Sequence, residues 1–243
     1  MARPSGGEAL PAIICLHGGG WSAGRREDYA GTIGQLARRG YVAMAVSYRL
    51  APDHQFPAAV HDAKAAVRWA RANAARWGID PMRIGITGDS AGGHLALCVG
   101  ATSGIAEFEG DAESPGVSSA VSAVVSLYGP SDLSRMWDNS TVAAAVLPPF
   151  LGGDRRTALR AHLRASPLNW VTPNAAAVLA IHGSADTVVA PDQSELIIDR
   201  LREVGVEADL LLLHGAGHGF EGADRDRADA ARVAFFERHL RRA

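Results

Sequence analysis

Hydrophobic residues in this chain are concentrated in short continuous runs, separated by stretches in which apolar and polar residues mix. The runs predict strands at 12–16, 42–47, 83–87, 120–127, 177–181 and 209–213. Most of them lack polar alternation, which is typical of strands that are covered on both faces of a sheet.

The stretches between these strands carry apolar residues at helical spacing. Helices are predicted near 28–38, 58–77, 91–101, 192–204 and 228–241. In 58–77 one apolar stripe is expected to face the sheet, and the basic residues are expected mostly to face away from it: Lys64, Arg68, Arg71 and Arg76. The alternation of strands and helices predicts an α/β fold, with a mostly parallel sheet flanked by helices on both faces.

Two segments interrupt this alternation. Residues 104–119 are predicted to form a solvated loop because they carry several acidic side chains: Glu107, Glu109, Asp111 and Glu113. Residues 131–173 are long for a connection between two strands, which is typical of a lid. We find neither a repeat nor a linker, so residues 1–243 are interpreted as one domain with a lid-like insertion at about 131–173.

Composition and charge exclude several classes of partner. The 243 residues are 47% hydrophobic and 21% charged, with a net charge of −2, which provides no basic field for nucleic acid or anionic lipid. No apolar run approaches the ~20 residues of a membrane span, and the first residues make a weak signal peptide. We therefore expect a cytoplasmic protein in which Cys15 and Cys98 are buried thiols rather than a disulfide.

One short motif points to chemistry. Residues 88–92 read GDSAG, which matches G-x-S-x-G, and they lie between a predicted strand and a predicted helix, as that motif requires. The sharp turn between the two elements tolerates only small neighbours, so the motif predicts that Ser90 is exposed as a nucleophile.

A serine hydroxyl needs an imidazole to take its proton and a carboxylate to orient that imidazole. Asp186 follows the strand at 177–181, and His218 follows the strand at 209–213, in the order that this kind of fold uses. The alternatives are weaker. His214 touches the strand end, where packing is expected to hold it, and Asp192 lies in the first turn of the next helix.

The negative charge that develops during acyl transfer needs backbone N–H donors. One is expected from Ala91, which follows the nucleophile and opens a helix, and others from the glycine-rich loop HGGGW at 17–21. Phosphate-loop patterns are absent after this strand, and the histidines lack the spacing of metal ligands. We therefore expect neither a metal nor another cofactor.

Together, the segments HGGGW, YRLAPDHQFPAAVHDAKAAVRW, GDSAGGHLA, HGSADTVV and GAGHGF make this chain resemble the α/β-hydrolase serine esterases. Within them it looks like the bacterial esterases of the hormone-sensitive-lipase type and of the feruloyl and acetyl-xylan type. The resemblance implies Ser90 as nucleophile, His218 as general base, Asp186 as its orienting acid, and Gly19, Gly20 and Ala91 as oxyanion-hole donors.

The start of the chain departs from that pattern. Such enzymes usually carry two further strands and a hairpin before the HGGG loop, and here only a short segment precedes it. Truncation of this strand pair would leave the strand at 42–47 as an open sheet edge. We expect either a homo-oligomer contact at that edge or a natural chain that starts upstream.

The expected function is that of a carboxylesterase, acting through an acyl-enzyme on short-chain acyl or small aromatic esters. The alternatives are an amide or formamide hydrolase similar to arylformamidases, and a non-catalytic ligand-binding relative. Substrate contacts are expected from Trp21 and Phe220, with Phe150 and residues 131–173 shaping the site.

Overall fold

A computed structural model describes residues 1–4, 9–111, 114 and 116–241. Within these residues the sheet has the order β2-β1-β3-β4-β5-β6, and every neighbouring pair is parallel. The strands are β1 (Leu10–Leu16), β2 (Val42–Val46), β3 (Ile79–Asp89), β4 (Ala123–Leu127), β5 (Ala177–Gly183) and β6 (Ala208–Leu213). Each of them coincides with a predicted apolar run.

The predicted helices are present, with shifted ends. The helices are α1 (Ala30–Arg38), α2 (Ala58–Ala72), α3 (Ala74–Trp77), α4 (Ala91–Ala101), α5 (Ala106–Glu109), α6 (Leu133–Asn139), α7 (Ala143–Leu151), α8 (Leu159–Ala165), α9 (Asp192–Glu203) and α10 (Gly222–Leu240). Short 3₁₀ helices span Arg26–Tyr29 and Pro167–Trp170. The helix predicted at 58–77 is interrupted at Asn73. Helix α10 begins at Gly222, before the predicted start at residue 228, because its first turns are polar and their sequence carries no apolar periodicity that would predict them.

Apolar side chains cover both faces of the sheet, as the continuous runs predict. Ile14 and Leu16 of β1 belong to the core on the side of α2, α4 and α9, whereas Ile13 and Cys15 belong to the core beneath α1 and α10. All four side chains are fully buried, and Cys15 and Cys98 are free thiols. The predicted fold class is confirmed.

The parallel arrangement determines where polar residues gather. The loops that follow β1, β3, β5 and β6 leave the sheet at the edge formed by the carboxyl ends of the strands, because parallel strands share one direction. These loops carry His17–Trp21, Ser90, Asp186 and His218. Residues that are distant in sequence can therefore meet above this edge.

Strand β2 lies at the edge of the sheet, as predicted. Ala43 exchanges two backbone hydrogen bonds of 2.9 Å with Ala2, which covers one position of the strand as an isolated antiparallel bridge. A contact between two copies of the chain at this edge stays a prediction.

The prediction of a solvated loop at 104–119 is wrong for its first part. Helix α5 inserts Phe108 into the core, with 1% of its surface exposed, and brings Glu109 against helix α2. Glu113 lies outside the described residues.

Glu109 also covers Lys64 and Arg68, two of the basic residues that are expected mostly to face away from the sheet. Both side chains are buried: Lys64 Nζ lies 2.8 Å from Glu109 Oε1, and Arg68 Nη1 lies 2.6 Å from Glu109 Oε2. Lys64 also donates to the carbonyl oxygen of Thr102 at 2.5 Å. Burial lowers the pKa of Lys64, and the Glu109 carboxylate opposes that effect.

Helices long and apolar enough to pass through a lipid bilayer are absent from the described parts of the chain.

Replacing Glu109 should destabilise the fold, because it removes the carboxylate that pairs with the buried Lys64 and Arg68. We expect Glu109→Ala to lower the free energy of unfolding by about 3 kcal/mol, because it leaves buried charges uncompensated. Glu107→Ala is the matched control, since Glu107 lies on the same helix as Glu109 and pairs with Arg164 of α8 at the surface. A loss of unfolding free energy below about 1 kcal/mol is expected for this variant. Urea denaturation of both variants measures the difference, and equal losses would contradict a buried role for Glu109.

Candidate active site

Ser90 lies in a strained turn between β3 and α4, as the motif predicts. Its φ and ψ are 50° and −118°, values that a residue with a side chain rarely adopts. A Cβ atom on Gly92 would lie 2.2 Å from the carbonyl oxygen of Leu16, so only glycine lets the turn pack against the end of β1. This packing places Ser90 just beyond the carboxyl end of β3.

The loops after β5 and β6 bring Asp186 and His218 to this serine. His218 Nε2 lies 3.0 Å from Ser90 Oγ, and His218 Nδ1 lies 2.7 Å from Asp186 Oδ2. Both contacts are of hydrogen-bond length, so one imidazole spans the hydroxyl and the carboxylate.

The two alternative residues lie elsewhere. His214 is exposed just beyond β6, so the expectation that packing holds it is wrong. Asp192 is the first residue of α9, and its Oδ2 accepts from Arg135 Nε at 2.7 Å.

The Asp186 carboxylate is buried and surrounded by donors. Oδ1 accepts from the N–H groups of Val188 and Val189, both at 2.9 Å, and Oδ2 accepts from His218. Burial alone would raise the pKa of Asp186, but hydrogen bonds from His182, His218 and the backbone outweigh it and hold the pKa well below its ordinary value. Asp186 therefore stays ionised at neutral pH.

His182 supports this carboxylate and was missed as a site residue. Its Nδ1 lies 2.7 Å from the Ser194 hydroxyl, and its Nε2 lies 2.9 Å from the carbonyl oxygen of Val189 and 3.3 Å from Asp186 Oδ2. Both neighbours of Nε2 can only accept, so Nε2 carries the hydrogen. The signal was its position at the end of β5, four residues before Asp186.

Tyr128 was also missed. It follows β4, has a φ of 41°, and places its ring edge-on to that of His218, with the centroids 4.7 Å apart. Burial raises the pKa of Tyr128, so its hydroxyl stays protonated. The sequence carried no signal beyond its place at a strand end.

The predicted oxyanion donors lie around Ser90. Gly19 and Gly20 have φ values of 111° and 56°, which glycine adopts without strain. The carbonyl oxygen of Gly19 accepts from Ser22 and Ala23, while the N–H groups of Gly19 and Gly20 donate to no protein acceptor within the described residues. Ala91 is the first residue of α4, where the helix leaves its N–H group unused.

A cavity of about 430 Å³ opens beside Ser90 and His218. Trp21 lines it, and its role as a substrate contact stays a prediction. Further apolar side chains of the lining come from α6, from α7 and the residue before it, and from the loop after β5: Met136, Val142, Val146, Val188 and Val189. The insertion at 131–173 thus supplies one wall of the site. Phe150 lies behind that wall, stacked against Trp21 and fully buried.

Phe220 does not line this cavity. The chain turns at Gly219, whose φ is 98°, and carries Phe220 to the core on the side of α10, where it packs edge-on against Tyr128. There it faces a second cavity of about 300 Å³, which is lined by polar side chains that include Tyr29, Asp89 and Arg232. This placement gives no support to Phe220 as a substrate contact.

Asp89 separates the two cavities, since it lines both. Burial raises the pKa of Asp89, although hydrogen bonds from the Tyr29 hydroxyl and the Gly18 N–H oppose that effect. A Cβ atom on Gly18 would lie 2.5 Å from Asp89 Oδ2, so this carboxylate packs directly beneath the glycine loop. In the described residues, no group of three or more His, Cys, Asp or Glu side chains is arranged to hold a metal ion.

Comparison with known proteins identifies the family. The BD-FAE family model matches residues 2–201. The chain belongs to the BD-FAE family. It is 38% identical to esterase LipC of Mycobacterium tuberculosis over 96% of its own length and 59% of that protein. The chain spans about half the length of the other curated relatives that match most of it.

Solved structures agree with this assignment. A truncated carbohydrate esterase from gut microbiota superposes with a TM-score of 0.87 at 32% identity, over 96% of this chain and 87% of that one. Esterase 2 of Thermogutta terrifontis with propionate bound superposes with a TM-score of 0.82 at 26% identity, over 100% and 90% of the two chains. The predicted resemblance of this BD-FAE chain to α/β-hydrolase serine esterases is confirmed.

Proposed function

We propose that this BD-FAE chain is a serine ester hydrolase that acts through an acyl-enzyme. The observation that carries the proposal is the position of His218, 3.0 Å from Ser90 Oγ and 2.7 Å from Asp186 Oδ2. This is the arrangement that makes a serine hydroxyl nucleophilic. The names of its relatives and structural neighbours, which are esterases, support the same activity.

The reaction follows from these contacts. Ser90 Oγ attacks the ester carbonyl carbon while His218 Nε2 takes the hydroxyl proton. The tetrahedral intermediate then expels the alcohol, which receives that proton from His218, and the acyl group remains on Ser90. In the second half, water attacks the acyl carbon while His218 takes a proton from it. The bond between that carbon and Ser90 Oγ then breaks, Ser90 Oγ receives the proton from His218, and the acid leaves.

Two groups of residues would lower the barriers. Asp186 holds the Nδ1–H tautomer of His218 and stabilises its protonated form, and His182 and the N–H groups of Val188 and Val189 keep Asp186 in place. The N–H groups of Gly19, Gly20 and Ala91 would donate hydrogen bonds to the negatively charged oxygen of the intermediate. Each such donor is worth about 10²–10³ in kcat.

The cavity beside Ser90 limits the acyl group. Its walls away from the reacting atoms are apolar, so they favour an uncharged acyl chain or a small aromatic acyl group over a charged one. Thermogutta terrifontis esterase 2 has been solved with propionate bound, and propionate is the acid that hydrolysis of a short-chain ester releases. We therefore propose short-chain and small aromatic acyl esters as substrates.

Removing the nucleophile is the first test. We expect Ser90→Ala to hydrolyse p-nitrophenyl acetate at least about 10³-fold more slowly than wild type, and to resist labelling by a fluorophosphonate. Ser122→Ala is the matched control, because the Ser122 hydroxyl contacts Met82 outside both cavities. Both variants should unfold at the wild-type temperature.

Equal turnover by wild type and Ser90→Ala would contradict the assignment of Ser90. Wild type is also assayed on N-formylkynurenine, because an amide or formamide hydrolase would use the same steps with an amine leaving group. Faster turnover of that substrate than of the ester would overturn the preference for esters.

The wall of the cavity provides a second test. Val146 Cγ1 lies 3.1 Å from the position of a Cβ atom on Gly20, so this side chain closes the cavity next to a proposed oxyanion donor. We expect Val146→Ala to raise kcat/KM for p-nitrophenyl hexanoate relative to acetate by roughly tenfold, since it makes room for further methylene groups. Steady-state kinetics on a series of acyl lengths measure the change.

Val233→Ala is the control for this test, because it removes the same two methyl groups from helix α10 on the other side of the sheet. Its acyl-length profile should match that of wild type. An unchanged profile in Val146→Ala would show that the acyl group does not occupy this cavity.

A further inference from the structure

Trp21 has an unusual backbone conformation next to the proposed oxyanion donors. Gly19, Gly20 and Trp21 have φ values of 111°, 56° and 58° in succession. Glycine adopts such values freely, but a bulky residue in the left-handed region is strained and persists only where its surroundings hold it there.

Three contacts hold Trp21. Its indole Nε1–H donates to His94 Nδ1 at 3.2 Å, and its ring stacks on Phe150 with the centroids 4.5 Å apart and the planes inclined by 6°. Its carbonyl oxygen accepts from the Ala51 N–H at 2.9 Å. Trp21 is 2% exposed and His94 is fully buried, so water does not compete for the bond between them.

His94 is suited to accept this bond. Its Nε2 lies 2.7 Å from the carbonyl oxygen of Ala165, which can only accept, so Nε2 carries the hydrogen and Nδ1 is left as an acceptor. Burial lowers the pKa of His94 to about 4, so the ring is neutral at working pH. A charged imidazole could not accept the indole hydrogen.

The position of His94 connects three parts of the site. It lies in α4 one turn after Ser90, and its N–H donates to the carbonyl oxygen of Ser90 at 2.9 Å. Through Nδ1 it contacts the glycine loop, and through Nε2 it contacts the end of α8 in the insertion. Through its ring and its backbone N–H, His94 thus connects the glycine loop, the nucleophile turn and helix α8 of the insertion.

We propose that His94 is a positioning residue for the oxyanion hole. By fixing Trp21 in its left-handed conformation, it sets the direction of the preceding peptide groups and turns the N–H groups of Gly19 and Gly20 toward Ser90. It touches no reacting atom. The proposal rests on the proposed esterase function, because the N–H groups matter only if an oxyanion forms there.

Three substitutions separate the bond from the packing. Trp21→Phe keeps an aromatic ring on Phe150 and removes the N–H donor. His94→Leu removes the acceptor, and His94→Gln restores both an acceptor for Trp21 and a donor for Ala165. Trp170→Phe is the matched control, since it also loses one indole hydrogen bond, to the carbonyl oxygen of Arg164, outside the Ser90 cavity.

We expect Trp21→Phe and His94→Leu each to lower kcat for p-nitrophenyl acetate by about 10- to 100-fold, because misdirected donors lose stabilisation of the intermediate rather than of bound ester. KM should change less than about threefold. His94→Gln should recover most of the lost kcat, and Trp170→Phe should match wild type. The double variant Trp21→Phe/His94→Leu should have a kcat no lower than that of the slower of its two single variants, since both substitutions remove the same hydrogen bond.

The second-order rate of labelling by a fluorophosphonate is the second readout, because phosphonylation of Ser90 uses the same donors and does not require ester turnover. It should fall in the same order among the variants. Thermal unfolding identifies a variant that fails to fold. If His94→Leu does not fold, the proposal is tested by comparing kcat and labelling rate of Trp21→Phe, which loses the bond, with those of His94→Gln, which keeps an acceptor.

Two results distinguish the failure of this proposal from that of the function. Wild-type kcat and labelling rate in folded Trp21→Phe and His94→Leu would overturn the role of His94 and leave the esterase intact. A wild-type protein that neither hydrolyses esters nor reacts with the fluorophosphonate would overturn the proposed function, and the role of His94 with it.

Discussion

The hydrogen bonds of a single imidazole determine how the rest of this site is built. His218 must reach a hydroxyl on one side and a carboxylate on the other, at 3.0 and 2.7 Å, while those groups come from loops after β3 and β5. A parallel sheet meets this requirement because every loop after a strand starts at the same edge. The buried Asp186 then needs other donors around it, which the backbone of Val188 and Val189 and the ring of His182 supply.

The structure around this contact is tightly packed. Gly92 packs against the carbonyl oxygen of Leu16, and Asp89 packs beneath Gly18, so the nucleophile turn and the glycine loop fit together without room for a Cβ atom. The insertion at 131–173 contributes buried side chains, including Leu147 and Phe150, to the core. It is part of the wall of the site, and the Trp21–His94 bond extends the same packing to the loop.

The features that could be predicted from the sequence are those that follow strands. Continuous apolar runs mark the strands, and Ser90, Asp186 and His218 stand out because each lies in the loop or turn that follows such a run. Lys64 and Arg68 could not be assigned, because their partner Glu109 is more than forty residues away along the chain. The orientation of Phe220 depends on one positive φ at Gly219, and the bond between Trp21 and His94 spans 73 residues. Contacts of this range are set by packing, which no local pattern reports.

The account as a whole claims that an ester reacts at Ser90 and leaves its acyl group there. The most direct measurement is peptide mass spectrometry of the protein after acid quenching within the first turnover of p-nitrophenyl acetate. The account predicts an acetyl group on the peptide that contains Ser90, which disappears as turnover completes. An acetyl group on another residue, or turnover with no acylated peptide at any time, would contradict it.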